Sequence, residues 1–179
     1  MKTKASIPHR ELALAGLFGA AGLTIPFLFH LLHLGSLFMP MYLPLVALGF
    51  FVSPTIAAIT AFVVPLLSGL FTGMPPFFPP VAPVMSIELS IMAVLIAAIR
   101  GRFPHLNAWL LLAPVLIIGR LINFSLFYAI ASAVDLPAAF VAGLSFISGW
   151  PGLLLMMFVI PPLTKIAKYR GFTTQKETP

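Results

Sequence analysis

From Leu12 to Ile99 the chain carries a single Asp, Glu, Lys or Arg, namely Glu88. No water-soluble fold can be covered by such a stretch, because a soluble domain needs roughly 25% charged residues to wet its surface. Over all 179 residues only 8% are charged, 60% are hydrophobic and mean hydropathy is +1.10. The solvent implied is lipid, and the apolar runs are long enough to supply spans of ~20 residues each. No stretch of ordinary composition is long enough to form an appended soluble domain.

The net charge of +6 is a matter of topology. Lys2, Lys4 and Arg10 precede the first apolar run, Arg100 and Arg102 share a mid-chain gap, and Lys165, Lys168, Arg170 and Lys176 follow the last run. With spans alternating sides, an even number separates each cluster from the next, so all three face one compartment. Enrichment of Lys and Arg in cytoplasmic loops identifies it as the cytoplasm. A nucleic-acid partner is excluded on the same ground. The N-terminus imitates a signal peptide, but the run from Leu12 to Leu34 is too long for a signal core and reads as a true span.

Turn residues divide the chain into helices over about 11–33, 42–52, 55–71, 84–99, 108–134 and 138–168. The fold class expected is an all-α integral membrane protein, one transmembrane domain over 1–179 with six helices and both termini cytoplasmic. Five prolines between Gly73 and Pro83 predict a stiff extended outer loop, since Pro lacks an N–H and fixes φ. Ser53-Pro54 predicts a tight break with Pro at the first helical position. The segment around Gly149, Pro151 and Gly152 predicts another break, and Pro161-Pro162 a bend. No internal repeat of the kind that builds inverted-repeat transporters is present.

The chain has no cysteine, which removes disulfides, thiol nucleophiles and thiolate metal sites. It has no Gly-x-Ser-x-Gly elbow, no His-Glu-x-x-His and no paired-carboxylate metal motif, so no enzyme activity and no cofactor are expected. It also lacks the Gly-x-x-x-x-Gly-Lys-Ser/Thr loop, so it cannot hydrolyse ATP by that route.

Glu88 and Arg120 are the ionisable residues within the inner spans. Intramembrane charges are costly and usually mark a partner, a pathway or a binding site. At 100° per residue, Arg120, Asn123, Phe124, Phe127 and Tyr128 fall within a ~140° arc of one helix. A charge, an amide, a phenol and aromatic faces on one wall suit a small polar heterocycle. The alternative is a buried ion pair that fastens helix four to helix five. Glu88 is expected about one turn below the outer end of its helix and Arg120 nearer mid-membrane, which leaves a direct bridge open. His30 and His33, with Met39 and Met41 close behind, offer soft metal ligands. No acidic or cysteine ligand stands beside them, so lining of an outward-facing pocket is expected there and no metal. Trp150 either stacks on a ligand or sits at a helix–helix contact. Met74 belongs to an outer loop rich in Met, Phe and Pro that can close over such a pocket. On helix one, Ala15/Gly19 and Gly16/Ala20 are small-xxx-small pairs, which let helix backbones approach closely in lipid. They serve either internal packing or docking of another subunit.

The ordered series Phe38-Met-Pro-Met-Tyr-Leu-Pro44, Pro65-Leu-Leu-Ser-Gly-Leu-Phe-Thr-Gly-Met-Pro-Pro76, Glu88-Leu89, Gly119-Arg120 and Trp150-Pro-Gly152 resembles the substrate-specific S components of energy-coupling factor (ECF) vitamin transporters. The likeness spans nearly the whole chain. It implies a six-helix S-component bundle in a prokaryotic plasma membrane that captures a vitamin or vitamin precursor from outside. A membrane-embedded scaffold subunit and two cytoplasmic ATPases would be its partners. The small residues Ala15, Gly16, Gly19 and Ala20 would then meet the scaffold subunit. Two departures bear on the substrate: the family commonly has His where this chain has Tyr42, and Gln where it has Met156. The candidate ligand-binding residues are therefore His33, Tyr42, Met74, Glu88, Arg120, Asn123, Phe127, Tyr128 and Trp150. The competing expectation is a small self-sufficient secondary transporter with Glu88 as the coupling carboxylate.

Overall fold

The computed structural model describes residues 9–31, 38–133 and 149–169. Within them the chain is all-helical: α1 (His9–Leu31), α2 (Tyr42–Leu48), α3 (Pro54–Thr72), α4 (Val81–Arg102), α5 (Ala108–Ala133) and α6 (Trp150–Tyr169). All but α2 are long and apolar enough to cross a membrane. Their outward faces carry large apolar side chains throughout, among them Leu17 on α1, Ile59 on α3, Ile117 on α5 and Phe158 on α6. Water would penalise such faces and lipid does not. This is the architecture of a multi-pass membrane protein.

The predicted second helix, 42–52, is shorter than expected. Only seven residues are α-helical, about 10 Å at 1.5 Å per residue, and the chain continues through tight turns. The N–H groups of Gly49, Phe50 and Phe51 donate to the carbonyls of Val46, Ala47 and Leu48. Non-helical backbone at membrane depth is tolerated only where protein surrounds it, and here it does. Leu45, Val46, Ala47 and Leu48 are fully buried, with α1, α3, α4 and α6 packed around them. Gly49 is required by one close approach, since a Cβ there would lie 2.8 Å from the Ala93 carbonyl oxygen of α4.

The end of this return segment is held by a residue the sequence had not singled out. Glu11, in the first turn of α1, accepts a hydrogen bond from the Ser53 backbone N–H at 2.8 Å. Ser53 caps α3 without using its own side chain, and Pro54 follows in the first turn. A carboxylate from the neighbouring helix thus serves the N-terminus of α3, where negative charge is favoured. The contact also shows that residues 38–53 bring the chain back to the end of the molecule where α1 begins.

The proline-rich loop is shorter than predicted, because α4 begins at Val81 rather than Val84 and takes Pro83 into its first turn. Pro is tolerated there since the first N–H groups of a helix have no intrahelical partner. Gly73, in the left-handed region at φ 73°, ends α3. The hydroxyls of Ser68 and Thr72 both donate to the Met74 carbonyl, which folds the loop back on the helix it leaves. At the opposite end, Asn107 Oδ1 accepts from the Trp109 N–H at the start of α5. Arg100 Nη1 donates to the Leu106 carbonyl across the basic turn. α6 begins at Trp150, where the Gly149–Gly152 break was expected, and runs through Pro161-Pro162 as one helix. Its stretch over 138–148 and the N-terminal and C-terminal basic tails lie outside the described residues.

Candidate functional site

α2, α4 and α5 converge on one polar cluster inside an otherwise apolar core. Glu88 is fully buried on α4. Its Oε1 accepts from Arg120 Nη2 at 2.7 Å, and its Oε2 accepts from Asn123 Nδ2 at 2.7 Å. The Tyr42 hydroxyl also donates to Oε2. Arg120 and Asn123 lie three apart on α5, hence on one face of that helix. The guanidinium carbon of Arg120 stands 5.3 Å from the centroid of the Tyr42 ring, a cation–π geometry. The direct Glu88–Arg120 bridge therefore forms. It becomes reachable because the earlier start of α4 places Glu88 two turns into the helix rather than one.

Gly119, the residue before Arg120, leaves room for the Met92 side chain of α4. A Cβ at that position would collide with the Met92 thioether. The Gly119-Arg120 pair thus combines a close helix contact with the charge that lies beside it. At the start of α6, Gly149 (φ 87°) receives the Met39 side chain and Gly152 receives the Phe38 carbonyl. These two glycines let the segment before α2 rest directly on α6.

The arc on α5 splits between interior and exterior. Arg120, Asn123 and Phe127 are buried, with Phe127 packed against Val84. Phe124 and Tyr128 turn outward and stack on each other at 6.3 Å, so they do not share a wall with the cluster. Met74 is exposed in its loop and is held through its backbone. Trp150 is half exposed, and it lines a cavity with Arg120 between α5 and α6. His33 lies outside the described residues. Among the described residues no group of three His, Asp or Glu side chains could hold a metal ion.

The small residues of α1 likewise point two ways. Ala15 is buried, and Gly19 packs against Thr60 and Val64 of α3. Gly16 and Ala20 are exposed, and a Cβ at Gly16 would meet nothing within 4 Å. Internal packing therefore uses Ala15 and Gly19, and the outer face of the stripe is left to Gly16 and Ala20.

The arrangement holds a charge pair in the bundle interior and leaves an apolar cavity beside it. A carboxylate with three donors, a guanidinium with N–H groups to spare and a cavity against the same arginine lie together there. Comparison of the chain with protein-family models, with curated proteins and with solved structures finds no match.

Proposed function

We propose that this protein is the membrane-embedded substrate-capture subunit of an ECF-type importer, taking up a vitamin or vitamin precursor across a prokaryotic plasma membrane. The observation that carries the reading is the polar cluster of Tyr42, Glu88, Arg120 and Asn123 in the core of a lipid-facing bundle. Such a cluster is expensive in lipid, and pure stability is poorly served by it, since well-packed apolar residues of similar volume are often as stable or more so. The ordered motif series supports the same role. Transport energy comes from partners in this scheme, a scaffold subunit that docks on α1 and two cytoplasmic ATPases.

Co-expression with an ECF scaffold and ATPase pair, followed by uptake measurements and mass spectrometry of co-purifying small molecules, tests the proposal. ATP-dependent accumulation of a co-purifying compound is the expected result. Accumulation in vesicles that lack any ATPase would instead establish a self-sufficient transporter coupled through Glu88.

A further inference from the structure

Arg120 is only 3% exposed, yet Nη2 alone of its three nitrogens has a hydrogen-bond partner, and Nε and Nη1 have none. Buried donors left without acceptors carry the full cost of their lost hydration. The same residue borders a half-open cavity of about 210 Å³ between α5 and α6, whose wall includes Ala113, Leu116, Trp150, Leu153 and Met157 and exposes no polar atom. Unmet donors on Arg120 and an apolar hollow that the same residue borders make complementary demands on a ligand.

Resting on the capture reading above, the geometry points to an uncharged ligand made of an apolar ring or short hydrocarbon body with a carbonyl-type acceptor as its head group. Three features of the site decide the class. The surplus is in donors, because the Glu88 carboxylate already accepts from Tyr42, Asn123 and Arg120; a head group that only donates would find little to bond. The charge is already balanced, because Glu88 neutralises Arg120; a carboxylate head would bring a second anion beside the first in a dry interior. The cavity wall offers no hydrogen bond, so a hydroxyl-rich body would lose its water without replacement. In size the hollow exceeds the ~150 Å³ of an apolar cavity that holds benzene, which admits one ring and a short chain. The cavity exposes no polar atom of Arg120, so the Arg120 side chain or Met157 must shift for the head group to reach Nε and Nη1. Met157 is unbranched and repacks readily.

Trp150 on the cavity wall supplies the reporter. In a Trp109→Phe background it is the sole tryptophan, and its fluorescence in nanodiscs can be titrated with four probes that share one body: 4-phenyl-2-butanone, butylbenzene, 4-phenylbutyrate and 4-phenylbutylamine. Saturable quenching by the ketone, about tenfold tighter than by the hydrocarbon, is expected, the scale of one hydrogen bond to a charged group. Acid and amine should bind more weakly than the ketone. Arg120→Gln should remove the preference for the ketone. Ala113→Phe, which fills the cavity without touching the cluster, should abolish binding of ketone and hydrocarbon alike while thermal stability is kept. Equal affinity of ketone and hydrocarbon overturns the inference, and so does a preference for acid or amine or full binding by Ala113→Phe. If it fails while a compound of another class co-purifies and is taken up with the ATPase pair, the capture reading stands alone. If no compound of any class binds and the partners confer no uptake, both fall.

Discussion

The hydroxyl of Tyr42, on the short buried α2, donates to the carboxylate of Glu88 on α4, a residue 46 positions further along the chain. The bond ties α2, too short to span a membrane, to the centre of the polar cluster. Tyr42→Phe keeps the ring under Arg120 and removes the donor, leaving Oε2 with Asn123. A loss of about 1–2 kcal/mol in unfolding free energy is expected, measured by denaturant titration in mixed micelles. Tyr42→His, which restores a donor, should recover part of it. Full stability in Tyr42→Phe would show that the bond contributes nothing to holding α2.

Glu88 and Arg120 should behave as a coupled pair. Either Glu88→Gln or Arg120→Gln leaves one charge buried without its counter-charge, a change that costs ~3–5 kcal/mol. The double substitution should recover at least ~1 kcal/mol of the summed loss, within the range of coupling energies for residues in contact. Simple additivity of the two single losses would mean that the bridge carries no interaction energy.

The divided face of α1 separates docking from packing. Gly19→Trp drives a ring into Thr60 and Val64 and should prevent folding, an extreme case of overpacking. Gly16→Trp projects outward, so the protein should fold and bind ligand as before but fail to support uptake with its partners. Normal uptake by Gly16→Trp would remove this face from any role in docking.

Topology can be read by single-cysteine labelling, because the chain has no native thiol. Residues 1–10, 100–106 and 169–179 are expected in the cytoplasm, and 74–83 and 135–137 outside. An impermeant maleimide added to intact cells should modify Phe78→Cys and spare Arg102→Cys. The reverse pattern would invert the assignment.

Composition was enough to anticipate the helical membrane class, because apolar runs of span length admit few other structures. The core cluster was partly foreseeable. Glu88, Arg120 and Asn123 stand out as polar residues in apolar runs, and the three-residue spacing puts the last two on one face. What failed was the outer half of the arc, Phe124 and Tyr128. Angular position on a helix says nothing about where the interior ends, which is set by the neighbours α4 and α6. Tyr42 entered only through the resemblance, since a phenol near a helix start is common and its partner lies far off in sequence. Glu11 was missed altogether. Its use as a cap for another helix depends on how α1 and α3 meet, and no local signal in either helix reports that.

The return segment from Phe38 to Ser53 has a consequence for biogenesis. A seven-residue helix followed by turns cannot be released sideways into lipid as an independent hydrophobic rod, because it is too short to span and hydrocarbon tolerates non-helical backbone only where protein surrounds it. Of its walls α1, α3, α4 and α6, only α1 has left the ribosome before it. The segment must therefore wait, shielded by the insertion machinery or held at the membrane surface, until α6 has been made and the enclosure can close around it. A nascent chain arrested before α6 should remain accessible to protease within 38–53, and a released full-length chain should not.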